Sequence, residues 1–271
     1  MNISKLYNIF KEYPSISTDS RNIKKDSIFF ALKGENFNGN KFAKEALKSG
    51  CKYAVIDEKE YEINENYILV KNALKTLQQL ASLHRDNINI PIIAITGTNG
   101  KTTSKELITS CLSSELETAY TKGNYNNHIG VPLTLLEINK KHEIGIIEMG
   151  ANHKNEINFL CEIAKPSYGI ITNIGKAHLE GFKNFEGVKS TKKELYDFIK
   201  KNNGIIFINN DDKTLNEISK NIKSITYGKN GDIIGEEVTS SVYTEVLFNK
   251  IKINSNLIGS YQFYNIMLAI A

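Results

Sequence analysis

The segment IPIIAITGTNGKTTSKEL, residues 90–107, decides the fold. Pro91 to Thr96 form a short apolar run, rich in β-branched residues and opened by a proline, which predicts a buried parallel strand. The sequence continues as KTTSKELITSCLSS, where Leu107, Ile108, Cys111 and Leu112 fall near i, i+1, i+4 and i+5 and predict one buried helix face. Between strand and helix lie Gly97, Thr98, Asn99 and Gly100. Such a turn aims successive backbone N–H groups at an anion at a helix N-terminus, where the helix dipole favours negative charge. The common phosphate-loop spacing, G-x-x-x-x-G-K-[ST], would need a glycine at position 95, which is Ile95. The glycine is Gly97, so the loop is two residues short. A plain glycine-rich turn has no need of Lys101 and Thr102 at the helix start. A lysine there can reach the β- and γ-phosphates and a threonine hydroxyl can ligate magnesium, so a nucleotide site is expected.

Outward from this segment, 271 residues suggest two domains. The first, residues 1–87, is expected to carry strands in SIFFALKG (27–34), YAVID (53–57) and YILV (67–70), with an amphipathic helix NKFAKEALKSG (40–50) closed by Gly50. The helical stretch NALKTLQQLASLHRD (72–86) leads out of it. The second domain, residues 88–271, alternates strands with helices. Strands are predicted at PIIAIT, EIGIIEM, YGIITNI, GIIFIN and KSITYG, and helices starting near Lys101, Pro132, Lys154, Phe185 and Lys213. Past Gly231 the alternation in EEVTSSVYTEVLFNKIKI predicts an antiparallel pair, and SYQFYNIMLAIA a final apolar helix. The expected fold is α/β: a small N-terminal α/β domain, then a phosphate-loop domain with a mostly parallel sheet flanked by helices.

Composition narrows the function classes. Hydrophobic residues at 41% and charged residues at 24% are ordinary globular values. A net charge of +4, spread along the chain, gives no support for a nucleic-acid partner. Cys51, Cys111 and Cys161 form no C-x-x-C pair and read as packing residues with free thiols in a reducing compartment. The N-terminus lacks the pattern of a signal peptide and no apolar run reaches membrane length, so a cytoplasmic protein without membrane contact is expected.

An open α/β sheet binds its ligand at the carboxyl ends of its strands. Glu148 follows one strand and is the natural magnesium carboxylate, against the alternative of a solvated strand-end charge. His178 and Glu180 lie in the loop GKAHLEGF after another strand; a lone histidine is by default a satisfied surface residue. NNDD (209–212) follows a third strand and reads as a turn and helix cap unless other residues join it. The loop TKGNYNNHIGVPLTLL gathers Asn124, Asn126, Asn127 and His128, which suits sugars, phosphates or peptide groups but equally a structural turn. Lys189, Lys192 and Lys193 in FEGVKSTKKELYDFIKK read by spacing as a solvated basic face.

Taken in order, TGTNGKTTSKEL, TKGNYNNHIGVPLTLLE, EMGANHKNEI, TNIGKAHLEGF and STKKEL, preceded by STDSRNIKKDSIFFALKGENFNGNKFAKEALKSG, resemble the Mur ligase family of peptidoglycan synthesis. The resemblance runs over nearly the whole chain, and the shortened loop is that family's form. It is strongest to members that join D-alanyl-D-alanine to UDP-N-acetylmuramoyl-tripeptide. GNYNNHIGVP stands where members adding the third amino acid carry T-T-P, and folylpolyglutamate synthase lacks the N-terminal domain. The resemblance implies an ATP-driven amide ligase with two magnesium ions, small-molecule substrates and a monomeric state. Gly97, Thr98, Asn99, Gly100, Lys101, Thr102 and Thr103 would cradle the phosphates, with Lys101 catalytic on the β/γ oxygens. Thr102 and Glu148 would bind one magnesium, and His178 a second. Lys192, in the family's K-x-E-[IL] setting, would be carbamylated to support that second ion, which lifts it out of the solvated face. Asn209 would lie on the adenine side. Ser20, Arg21, Asn36 and Phe37 would hold the UDP end, and Asn124, Asn127 and His128 would contact substrate. The family's G-x-H-N-x-x-N helix reads GSYQFYN here, which keeps Gly259 and Asn265 and puts Tyr261 and Gln262 at the other positions. The family also has a C-terminal third domain, and the sequence stops where it is expected to begin. A rival expectation is therefore a two-domain piece that binds UDP-substrate and ATP without ligating them.

Overall fold

The computed structural model describes residues 2–175, 182, 184–238 and 242–271. His178 and Glu180 lie outside the described residues. The chain divides into two compact units, Met1–Asn89 with His128–Asn139, and Ile90–Asn127 with Lys140–Ala271.

The first unit opens with α1 (Ile3–Glu12), whose N-terminus is capped by the Asn2 side chain accepting from Ser4 N–H. It continues through β1 (Ile16–Ser17), β2 (Ile28–Phe30), a hairpin of β3 (Lys33–Gly34) and β4 (Phe37–Asn38), α2 (Ala43–Lys48), β5 (Tyr53–Ile56), β6 (Tyr67–Leu69) and α3 (Ala73–Asn87). The four strands β1, β2, β5 and β6 pair in that order and in parallel. Phe29, Ala31, Ala54, Ile56 and Tyr67 from this sheet pack on Ala43 and Ala46 of α2. The predicted helix over 40–50 is divided, since a 3-10 turn (Gly39–Phe42) precedes α2. α1 was not among the expected elements.

The second unit begins with β7 (Ile92–Thr96), α4 (Lys101–Leu112) and β8 (Thr118–Tyr120). The next helix, α5 (Gly130–Glu137), packs on α3 and belongs to the first unit. Residues 128–139 thus group with the first unit, a second crossing of the chain beside the one expected at 87/88. His84 on α3 ties the two helices together, because its Nε2 meets the Ile138 carbonyl at 2.8 Å.

Beyond it come β9 (Ile144–Glu148), α6 (Glu156–Ala164), β10 (Tyr168–Ile171), α7 (Phe185–Lys201), β11 (Ile205–Asn209), α8 (Lys213–Ile218), β12 (Ser224–Gly228) and β13 (Ile233–Ile234). The main sheet has the parallel order β13-β12-β11-β10-β7-β9-β8. All five residues of β7 and of β9 are buried, as expected for strands covered on both faces. β14 (Glu236–Val238), β15 (Tyr243–Phe248) and β16 (Ile251–Ile258) form an antiparallel three-stranded sheet, one strand more than predicted. α9 (Gln262–Ile270) closes the chain and packs on α4. The buried face of α4 is Ser104, Lys105, Ile108 and Thr109. Cys111 is exposed, so of the three cysteines only Cys51 and Cys161 are packing residues. Of the predicted face, Ile108 is buried and Leu107 and Leu112 pack partly buried against the same core, while Cys111 falls outside it. The buried face extends instead to two polar side chains, Ser104 and Lys105, each of which finds a partner.

Candidate active site

β7 lies between β10 on one side and β9 on the other, so the strand order reverses around it. That reversal opens a crevice at the carboxyl ends of these strands. The loop Gly97–Gly100 emerges there and runs into α4. Gly97 has φ 146° and Gly100 φ 77°, and a Cβ at Gly97 would stand 2.0 Å from Thr172 Oγ1. Only glycine fits there. The loop is held from β10: Thr172 Oγ1 donates to Asn99 O (2.6 Å), and Asn173 accepts from Asn99 N–H (3.0 Å) and donates to Asn99 O (2.9 Å). Gly175 N–H donates to Thr98 Oγ1 (2.9 Å). Sequence reasoning missed Thr172 and Asn173, whose partners lie more than 70 positions away.

Lys101 Nζ donates to Gly97 O (2.9 Å) and Thr98 O (3.1 Å), which holds the cation over the loop. Burial lowers its pKa, against the attraction of Glu148. Glu148 is 1% exposed, which removes the reading as a solvated strand-end charge. Its Oε2 accepts from Thr102 Oγ1 (3.0 Å) and its Oε1 from Asn126 Nδ2 (2.8 Å). Asn126 also accepts from Gly150 N–H through its backbone carbonyl (2.7 Å). Of the amide-rich loop, then, Asn126 reaches the carboxylate, whereas Asn124, Asn127 and His128 are exposed. A hydroxyl and a carboxylate are hard oxygen donors, the type magnesium prefers, and glycine N–H groups at a helix start suit phosphate. The residues present fit a magnesium-bound nucleotide.

Lys192, on α7, is 4% exposed, and its pKa is pushed down to about 8, first by burial and then by the charge of Lys101. Its neighbours are ion-paired instead: Lys189, largely covered, pairs with Glu186 and Glu217, and the more open Lys193 pairs with Asp197. Glu194 turns to α6, where it accepts from Asn155 N–H (2.7 Å) and Asn158 N–H (3.0 Å) and caps that helix.

A cleft of about 850 Å³ adjoins the loop, lined by Asn99, Gly100, Asn173, Asn209, Asp211 and Tyr261 among others. Asn209 is buried and accepts from Asp211 N–H (3.1 Å). Asp212 caps α8 by accepting from Thr214 and Leu215 N–H groups, as the turn reading of NNDD predicted. Asn265 accepts from Ser104 Oγ (3.1 Å) and donates to Gln262 Oε1 (2.7 Å). Gln262 thus has a structural partner within α9, while Tyr261 faces the cleft.

In the first unit, Arg21 makes a two-pronged pair with Asp19, Nε to Oδ1 at 2.9 Å and Nη2 to Oδ2 at 2.7 Å. Ser20 precedes it in the same turn, and Asn36 sits at the exposed tip of the β3–β4 hairpin. Phe37 is 51% exposed and stacks on Phe42, with centroids 5.3 Å apart.

The model of the Mur ligase middle domain matches residues 95–271, and that of the Mur ligase family catalytic domain matches residues 12–85. The chain belongs to the Mur ligase family. Among Mur ligases, the UDP-N-acetylmuramoyl-tripeptide–D-alanyl-D-alanine ligase of Haemophilus influenzae is 37% identical over 267 residues, covering 94% of this chain and 58% of the relative. The enzyme of the same name from Bacillus subtilis is 35% identical, covering 83% of this chain and 50% of its own. A crystal structure of MurF from Acinetobacter baumannii superposes with a TM-score of 0.82 at 31% identity, over 94% of this chain and 58% of that one. MurF from Thermotoga maritima in complex with ADP gives 0.81 at 29%, over 94% and 61%. The chain thus spans between half and about three-fifths of the length of these four relatives.

Proposed function

We propose that the chain carries the ATP site and the UDP-precursor site of an ATP-dependent amide ligase that joins D-alanyl-D-alanine to UDP-N-acetylmuramoyl-tripeptide. The observation that carries this reading is the buried Glu148 carboxylate, bridged by Thr102 and Asn126 beside the glycine loop and Lys101. The names of the similar proteins point the same way.

In this reading the tripeptide carboxylate attacks the γ-phosphorus of ATP, the bond to the β-bridging oxygen breaks, and ADP leaves. The amine of D-alanyl-D-alanine then attacks the acyl carbonyl, loses a proton and expels inorganic phosphate. The backbone N–H groups of Gly97 to Thr103 bind and orient the phosphates. Lys101 leaves its loop carbonyls for the β/γ oxygens, where burial strengthens its attraction. Thr102 and Glu148 would hold magnesium, which neutralises charge on the transferring phosphoryl group. Asn126 keeps the carboxylate turned toward Thr102.

Lys192 supports a second cation site in the same reading. A pKa of about 8 leaves an appreciable neutral fraction near neutral pH. The neutral amine nitrogen can add to carbon dioxide and release one proton, giving an anionic carbamate whose oxygens suit magnesium. ¹³C-bicarbonate should give a carbamate signal that Lys192→Arg lacks. Asn209 and Tyr261 would face the adenosine end. The Phe37 ring and the Arg21–Asp19 fork, with Ser20 and Asn36, would hold the UDP end. Asn124, Asn127 and His128 remain substrate contacts by proposal. No helix among the described residues is long and apolar enough to cross a membrane. Cytoplasmic location, monomeric state and small-molecule partners complete the proposal.

The reaction is tested with tripeptide labelled by ¹⁸O in its terminal carboxylate, together with ATP, magnesium and the dipeptide. Transfer of one labelled oxygen to the released phosphate is expected. Phosphate whose new oxygen comes only from water would make this an ATPase and overturn the reading.

A further inference from the structure

Among the described residues, one fully buried lysine is unused by the chemistry above. Lys105 lies on α4, one turn after Thr102, and is 0% exposed. A lysine so placed must satisfy its amine inside the protein. Its Nζ donates to the Thr121 carbonyl at 2.6 Å, pairs with Glu106 Oε1 at 2.9 Å, and stands 5.9 Å from the centre of the Tyr120 ring. Of these, the Thr121 carbonyl is the buried partner, since Glu106 is largely exposed.

Thr121 in turn touches the proposed metal carboxylate's own backbone. It is 0% exposed, and its Oγ1 accepts from Glu148 N–H at 3.0 Å. Its N–H donates to Ile146 O at 3.0 Å, which docks the end of β8 on β9. Five residues later the same segment delivers Asn126, whose amide holds Glu148 Oε1 at 2.8 Å and whose carbonyl accepts from Gly150 N–H at 2.7 Å. Glu148 is therefore gripped twice from one helix: directly by Thr102, and through Thr121 by Lys105.

We propose that Lys105 is a positioning residue for Glu148, fixing the β8 terminus so that the carboxylate meets Thr102 and the cation with its rotamer already set. It touches neither nucleotide nor metal. The inference rests on the reading of Glu148 as the magnesium carboxylate. Partners one step removed from a metal ligand typically alter metal affinity roughly 10- to 100-fold. The loss should fall on the metal-dependent part of nucleotide binding alone, because the loop N–H groups that meet the phosphates are anchored from β10 instead.

The test is calorimetric titration of the 271-residue chain with ADP, with and without magnesium at constant ionic strength. Wild type should bind ADP more tightly with the ion. Lys105→Met, which keeps the aliphatic stem, should lose about tenfold or more of that gain while keeping the metal-free affinity, and Lys105→Arg should restore part of it. Thr121→Val, which leaves the lysine in place, should show the same loss and serves if Lys105→Met does not fold. Glu148→Gln reports on the underlying reading. A full magnesium gain in both Lys105→Met and Thr121→Val, with none in Glu148→Gln, would overturn the role of Lys105 alone. A full gain in Glu148→Gln as well would overturn the carboxylate assignment beneath it.

Discussion

Gly97 and Gly123 both have positive φ, yet they have different tasks. At Gly97 (φ 146°) an added methyl would meet Thr172 Oγ1 at 2.0 Å, whereas Gly123 (φ 52°) has nothing within 4 Å. Gly97→Ala should cost roughly 2–5 kcal/mol from strain and overpacking and should abolish nucleotide binding. Gly123→Ala should cost only about 1 kcal/mol, the ordinary left-handed penalty. Thermal melts of the two variants check the contrast, and equal shifts would refute it. At this scale the sequence was legible wherever a residue acts through its near neighbours. Gly97, Lys101 and Thr102 declare themselves within one loop, and Glu148 by its place at a strand end. Thr172, Asn173 and Lys105 did not, because their partners are brought close only by the sheet. Lys192 could be told from Lys193 by family pattern alone. The structure adds the physical difference, one amine buried and the other paired with Asp197 in solvent.

Among the elements, α6 depends on its neighbour α7. Its first-turn N–H groups at Asn155 and Asn158 donate to Glu194, whose carboxyl is kept above the usual carboxylate range chiefly by burial. Glu194→Ala strands those donors and should cost about 2 kcal/mol by urea unfolding; a change below about 0.5 kcal/mol would show the cap to be idle. The α1, α3 and α5 group carries a pH signature. His84 lies between Tyr7, Phe10 and the Ile138 carbonyl, and burial lowers its pKa from 6.5. The unfolded chain takes up that proton near pH 6.5 and the native state resists it, so this contribution is complete above 6.5 and fades as pH falls below. The melting temperature should drop more steeply from pH 7 to 5 in wild type than in His84→Gln, and parallel profiles would contradict the assignment. The strands were legible because β-branched runs bounded by turn residues leave few alternatives. The allegiance of α5 was not: an apolar helix of eight residues has no face that names its partner.

For the whole molecule, the two-unit division makes a prediction about excision. Residues 1–89 alone lack α5, which buries Val131, Leu135 and Leu136 and supplies the carbonyl that His84 meets. That piece should melt less cooperatively and bind a hydrophobic dye, and joining residues 128–139 back by a short linker should restore it. Identical melts would show α5 to be dispensable. A mostly parallel sheet followed from strand–helix alternation, but its strand order, with the reversal beside β7, and the second crossing of the chain between units did not, since neither periodicity nor composition marks them. Gly97 to Thr103, with Glu148, are proposed to hold a magnesium-bound nucleoside triphosphate. The most direct measurement is titration of the chain with a non-hydrolysable ATP analogue and magnesium, beside Lys101→Ala checked for an unchanged melt. Saturable one-to-one binding that disappears in the variant is predicted. No binding by the wild type, or equal binding by Lys101→Ala, would overturn that assignment.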